Sequence, residues 1–125
     1  MERAGTALAS FSPGIRSLSR RRKVTEDFIM ALTFLARMTV KPEKEQEFKD
    51  LCNALAKKVH ANEPGTLAYT YYKLREPYGY AVLESFTDEA AEEAHLAAPY
   101  FTEVVDDILG CLDGTYVREY LDPLD

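Results

Sequence analysis

Leu32, Phe34, Ala36, Met38 and Val40 alternate with Thr33, Leu35, Arg37 and Thr39. A period of two predicts a strand over residues 31–40 with one wholly apolar face. The other face, with Leu35 and the aliphatic stem of Arg37, is amphipathic enough to border a pocket or a partner. The period then changes. Lys41-Pro42 turns the chain, and Pro42 suits the first turn of a helix. Phe48, Leu51, Cys52, Leu55, Ala56 and Val59 recur at intervals of three and four, which predicts an amphipathic helix of about five turns. Glu43, Glu45 and Glu47 lie near its start and Lys57, Lys58 and His60 near its end, the order a helix dipole favours. That order accounts for His60 as a cation at a helix terminus. Asn62-Glu63-Pro64-Gly65 closes the helix, and a strand over Thr66–Arg75 carries Tyr69, Tyr71 and Tyr72. Glu76-Pro77-Tyr78-Gly79 reads as a hairpin turn, with Tyr80–Phe86 returning as the third strand.

Thr87 or Asp88 then caps a second helix, whose N-terminal end suits Glu89, Glu92 and Glu93. Ala91, Ala94, His95 and Ala98 share one narrow face of that helix. The imidazole therefore points inward, and its methyl-sized neighbours predict space beside it. Pro99 ends or kinks the helix. A further helical piece runs to Leu109, with Phe101, Val104, Val105 and Ile108 on one face, and Gly110 stops it. The last strand, Thr115–Leu121, sets Tyr116, Arg118 and Tyr120 against Thr115, Val117, Glu119 and Leu121, and Leu121 to Asp125 form a solvated tail. Strand, helix, strand, strand, helix, strand is the ferredoxin-like order: an α+β fold with one antiparallel four-stranded sheet and both helices on one face. Apolar residues on both sheet faces leave one surface uncovered, and two-fold pairing through it is the simplest remedy.

At 125 residues with 46% hydrophobic content, the chain has the size and composition of one globular domain. The longest apolar stretch, Phe28–Val40, is interrupted by Thr33, Arg37 and Thr39 and is too short to cross a bilayer as a helix. The net charge of −6 is uneven: residues 1–29 carry +3, and residues 30–125 carry −9. A surface that acidic repels phosphate backbones and argues against nucleic acid as a partner. Cys52 and Cys111 stand far apart with no Cys-x-x-Cys, which fits small core residues in a reduced, cytoplasmic setting. Residues 1–29 are rich in Ser, Ala, Gly and Arg and lack apolar periodicity, so the folded domain is expected over 30–125. The segment reads as a disordered or non-native extension ahead of Met30, as a transit peptide, or as a basic arm built on Arg20, Arg21, Arg22 and Lys23. Glu26 and Asp27 stand where the apolar region of a twin-arginine signal would begin, which sets that reading aside.

From Leu32 to about Tyr120 the chain resembles the antibiotic biosynthesis monooxygenase domain family. The resemblance rests on the first strand with Lys41-Pro42, on Glu63-Pro64-Gly65-Thr66-Leu67 before a Tyr-rich strand, and on Glu84-Ser85-Phe86 leading to Glu93-Ala94-His95-Leu96 and Pro99-Tyr100-Phe101. It implies a homodimer in which two ferredoxin-like sheets form a shared α+β barrel. The family spans quinol and anthrone oxygenases, haem-degrading enzymes and enzymes of small signalling molecules. Its haem-degrading branch pairs the helix histidine with an Asn on the first strand and a Trp. Here strand 31–40 has no Asn and the chain no Trp, which speaks against haem degradation and leaves haem binding open.

The expected activity is oxidation of a small phenol, quinol or anthrone-like substrate by molecular oxygen. The sequence carries no Gly-rich dinucleotide turn, phosphate loop or metal-ligand cluster, so no cofactor and no metal are expected. Such chemistry needs a base, a donor to hold the substrate anion and a dry cavity. His95 is the candidate base, since its ordinary pKa of about 6.5 suits proton transfer near neutrality. Tyr69, Tyr71 and Tyr72 are candidate donors, unresolved among themselves because the sequence does not fix which sheet face each occupies. Arg37 is a candidate anion stabiliser, and Glu84 a candidate acceptor for the second imidazole nitrogen. The competing reading of His95 is structural: a hydrogen bond to a strand carbonyl or to Glu84 that ties helix to sheet. The competing function is a non-catalytic dimeric module that holds a small apolar ligand or haem.

Overall fold

The computed structural model describes residues 31–124; the readings placed on residues 1–29 lie outside them. In chain order the elements are β1 (Leu32–Thr39), a 3-10 turn (Pro42–Lys44), α1 (Glu45–Asn62), β2 (Thr66–Lys73), β3 (Gly79–Phe86), α2 (Glu89–Ala97), α3 (Pro99–Thr102), α4 (Val105–Gly110) and β4 (Val117–Tyr120). The sheet order is β2-β3-β1-β4 with every neighbour antiparallel. This is the expected ferredoxin-like α+β arrangement.

The apolar stripe of α1 is what closes the core. Phe48, Cys52, Leu55 and Val59 are buried against the sheet face that carries Phe34, Ala36, Met38, Tyr69, Tyr80, Val82 and Phe86. Full burial of side chains such as Phe48, Leu55 and Val59 contributes roughly 1.5–3 kcal/mol each, so this stripe anchors the helix. Both cysteines are buried and unbridged, and burial pushes the Cys52 thiol up to about 12.

Two glycines are set by close approach. A Cβ on Gly79 would fall 2.6 Å from Glu76 Cγ in the β2–β3 turn, where Tyr78 already takes a left-handed φ of 59°. A Cβ on Gly65 would fall 2.9 Å from Ala91 Cβ, so Gly65 lets α2 lie against the start of β2. The alanines of α2 thus serve close packing.

Two local features depart from the sequence pattern. A bulge between Thr66 and Ala68 makes Leu67 the extra residue, exposed to 59%, and puts the Thr66 side chain on the same face as Tyr69. The helical segment after Pro99 is not continuous to Leu109 but breaks into α3 and α4. The reason is local: Thr102, Val104 and Val105 are β-branched, and Thr102 Oγ1 donates to the Pro99 carbonyl at 3.2 Å, competing with helix propagation.

Candidate active site

The site forms where α1 ends, α2 ends and the middle of the sheet meet. Asp88 caps α2 by accepting a hydrogen bond from the Ala91 amide at 2.8 Å. Two turns on, His95 is turned onto the sheet and is only 1% exposed. Ala98 then adopts an extended conformation before Pro99, and the break folds Tyr100 and Phe101 back over the imidazole. The expected space beside His95 is filled by rings: Phe101, Tyr69 and Phe86 have centroids 4.7, 5.1 and 5.5 Å from that of His95.

Glu63, the C-cap of α1, binds the imidazole. His95 Nδ1 lies 3.0 and 3.1 Å from its two carboxylate oxygens. Thr66 Oγ1 donates to Glu63 Oε1 at 2.6 Å, and the Tyr100 hydroxyl donates to Oε2. Burial raises the Glu63 pKa, but the hydrogen bonds from Thr66, Tyr100 and His95 outweigh it and hold the carboxylate ionised below its ordinary range. For His95, burial dominates: it depresses the pKa despite the neighbouring Glu63, so the ring is neutral near pH 7. A neutral ring with Glu63 at Nδ1 carries its proton there, leaving a lone pair on Nε2.

That lone pair faces Glu84, whose Oε1 lies 4.0 Å away, beyond hydrogen-bond range. Neither Nε2 nor the Glu84 carboxyl has a hydrogen-bond partner among the described residues, although their side chains are 1% and 13% exposed. Burial raises Glu84 to about 8, against an opposing pull from Arg118. Glu84 is therefore mostly a neutral acid at pH 7, able to donate a proton to an oxygen placed between it and Nε2. Buried polar groups without partners are rare and costly. An oxygen at hydrogen-bond distance from both would satisfy the two at once.

Tyr69 and Tyr71 share this face and join through their hydroxyls at 3.0 Å. Burial drives both phenols well above 10, so they remain protonated. Arg118, cross-strand to Ala36, stacks on Phe34 at 4.1 Å and binds Glu92 of α2 and the Tyr120 hydroxyl through Nη1, at 3.2 and 3.0 Å. Its charge acts on both Glu84 and His95.

Of the residues singled out in the sequence, His95, Glu84, Tyr69 and Tyr71 thus come together. Arg37 and Tyr72 do not. Arg37 lies on the opposite sheet face, where it pairs with Glu119 at 3.2 Å, and Tyr72 lies cross-strand to Ala81 on that same face and is exposed. The acceptor for the imidazole N–H is Glu63 rather than Glu84, and the arginine on the His95 face is Arg118. Glu63 left a signal, since an acid at a helix C-terminus opposes the dipole and so calls for a partner elsewhere. Arg118 left one too, between Tyr116 and Tyr120 on a single strand face. His60 Nε2 meets the Tyr69 carbonyl at 2.9 Å, a tie between α1 and β2. No group of three or more His, Cys, Asp or Glu side chains suited to a metal ion occurs among the described residues. No helix among them is long and apolar enough to cross a membrane.

A buried histidine held by one carboxylate and faced by a second, on the helix-covered side of a four-stranded sheet, defines a ferredoxin-like α+β protein with an internal histidine–carboxylate cluster. The chain belongs to the antibiotic biosynthesis monooxygenase family, whose model matches residues 31–107. A candidate antibiotic biosynthesis monooxygenase from Caulobacter crescentus is 31% identical, with a TM-score of 0.72 over 82% of this chain and 99% of that one. A conserved protein from Methanosarcina mazei is 29% identical, with a TM-score of 0.69 over 79% and 97% of the two chains. A second candidate monooxygenase of this kind, from Bacteroides thetaiotaomicron, is 26% identical, with a TM-score of 0.66 over 76% and 90%. Among curated proteins, no sequence matches the chain.

Proposed function

We propose that this protein is a monooxygenase that uses molecular oxygen to oxidise a small phenolic, quinol-like or anthrone-like compound, with the substrate supplying all the electrons. The observation that carries the reading is that buried His95 Nε2 and the largely covered Glu84 carboxyl face each other at 4.0 Å without a hydrogen bond. His95 Nε2 takes the substrate proton, and the Glu63 carboxylate stabilises the imidazolium that forms. The neutral Glu84 acid donates to the substrate oxygen as negative charge gathers there, with the Arg118 charge nearby. The resulting anion is electron-rich enough to reduce oxygen. When a CH2 group beside a phenol or ketone becomes a carbonyl, it gives up four electrons and two protons. Oxygen accepts both: one atom enters the product and the other leaves as water.

Substrate reaches His95 by displacement of α3, the four-residue piece between the breaks at Ala98 and Glu103 that carries Tyr100 and Phe101. The working form is a homodimer paired through the open sheet face, a reading supported by exposed Leu67, Tyr72, Val117 and Leu121. Its setting is the cytoplasm, which the two buried free cysteines fit. The test is oxygen uptake by the purified protein with a panel of quinols, anthrones and catechols, beside His95→Ala and Glu84→Gln. The expected result is uptake that falls by roughly 100-fold or more in His95→Ala while that variant stays folded. Uptake unchanged in His95→Ala, or absent from the native protein across the panel, would overturn the reading.

A further inference from the structure

Pro99 fixes where α2 stops: a residue before proline is pushed out of the helical region, and Ala98 is extended at φ −64° and ψ 134°. The four residues of α3 then form a short strap between that break and the one at Glu103. Pro99 and Thr102 are exposed, so only Tyr100 and Phe101 turn inward. The Phe101 ring lies 4.7 Å from that of His95. The Tyr100 hydroxyl donates to Glu63 Oε2. Among the described residues this is the one hydrogen bond that ties α3 to another part of the fold, since its other bonds stay within residues 98–104.

That bond lands on the carboxylate that holds the imidazole. Thr66 Oγ1 donates to Glu63 Oε1 at 2.6 Å, and His95 Nδ1 lies 3.1 and 3.0 Å from Oε1 and Oε2. Two neutral hydroxyls thus share the Glu63 charge with the imidazole. A carboxylate stripped of one such donor concentrates its charge and pulls harder on an imidazolium. Burial and the Glu63 carboxylate push the Tyr100 phenol up to about 12, so it remains a donor wherever His95 titrates. The other groups that face the ring hold their state in that range. The Tyr69 phenol of β2 stays protonated, Glu84 of β3 is mostly uncharged below about 8, and Arg118 of β4 stays cationic.

We infer that Tyr100 is a positioning residue that acts through Glu63 and keeps His95 ready as a base only while α3 lies over it. With α3 in place, the Tyr100 hydroxyl tempers the Glu63 charge and Phe101 shields the ring, so the imidazole stays neutral with Nε2 bare. With α3 displaced, Glu63 loses a donor and water reaches the ring. Both changes favour the imidazolium, which has no lone pair to offer. The catalytic meaning of a bare Nε2 rests on the proposed function; the coupling of Tyr100, Glu63 and His95 rests on their geometry alone.

The experiment is an NMR titration of His95 in the full chain, in the native protein, Tyr100→Phe and Thr66→Val, with the contact between the Phe101 and His95 rings read by nuclear Overhauser effect. Tyr100→Phe should raise the His95 midpoint by roughly half a pH unit and weaken the ring contact. Thr66→Val removes the other hydroxyl from Glu63 without touching α3, so it should raise the midpoint and leave the contact as it is. The native protein supplies a reading that needs no variant: the Tyr100 ring signals should shift together with the Glu63 carboxyl as that group titrates in acid. A midpoint unchanged or lowered in Tyr100→Phe, a ring contact as strong as in the native protein, or Tyr100 signals blind to Glu63 would overturn the inference. Neither substrate nor oxygen enters this measurement, so its failure and a failure of oxygen uptake are told apart.

Discussion

The two faces of the sheet are made from the same strands and have opposite chemistry. On the helix side, Glu63, Glu84, His95 and Arg118 are drawn in among Phe34, Tyr69, Phe86 and Phe101; burial raises Glu84 and lowers His95, while hydrogen bonds hold Glu63 below its ordinary range. On the open side, Arg37 and Glu119 pair at 3.2 Å with both side chains about half exposed, beside Val117, 59% exposed, on the edge strand β4. The charged groups of the two faces thus sit in opposite surroundings. On the open face of the single protomer they are screened by water and contribute little to its stability. On the covered face they are held at a cost that the proposed acid–base role puts to use.

The largest break in this contrast is expected from Glu63. Glu63→Ala strips the acceptor from His95 Nδ1, Thr66 and Tyr100 at once, and should destabilise the protein by roughly 3 kcal/mol in urea unfolding. A loss under about 1 kcal/mol would mean that Glu63 behaves like a surface acid.

Glu84 comes next. In the unfolded chain it titrates near 4.5, and burial in the fold moves it to about 8. The folded protein therefore keeps a proton that the unfolded chain releases. The stability linked to this group is full below pH 4.5 and is lost as the pH rises to 8. His95 acts in the opposite sense: its pKa falls below 6.5 in the fold, so its contribution is lost as the pH drops beneath 6.5. Glu63, also depressed, acts only toward acid. From pH 6.5 to 8 the Glu84 effect stands alone within the cluster. One proton changes stability by at most about 1.4 kcal/mol per pH unit, so the native protein should lose up to about 2 kcal/mol across that window. Glu84→Gln should flatten the slope, which unfolding curves at several pH values will show.

The smallest effect belongs to the open face. Arg37→Ala should leave protomer stability within about 0.5 kcal/mol, and oxygen uptake by the proposed enzyme should not change. A large loss of activity would bring Arg37 back into the site.

The faces of β1, the α1 stripe, the turn at Glu76–Gly79 and the inward His95 were legible because each rests on a local period or a local turn signal. The facing of the tyrosines was not. The bulge at Leu67 resets the register that decides it, and a period of two is blind to one extra residue. The alanines around His95 also misled, since small residues signal close approach as readily as empty space, and here they admit Gly65 and the Phe101 ring. The site was half legible for a related reason. His95 and Glu84 sit on one stretch of chain, whereas Glu63 reaches His95 across 32 residues and Arg118 reaches Glu92 across 26. Neither pairing follows from spacing along the sequence.

The most direct test of the acid–base account is the state of the imidazole itself, read by long-range proton–nitrogen NMR on the nitrogen-labelled protein near pH 7. The account predicts a neutral His95 with its proton on Nδ1, Nε2 bare, and a titration midpoint below 6.5 that falls further in Glu63→Gln, where the carboxylate that favours the imidazolium is lost. An imidazolium at pH 7, or a proton found on Nε2, would contradict the claim that His95 is a base held ready by Glu63.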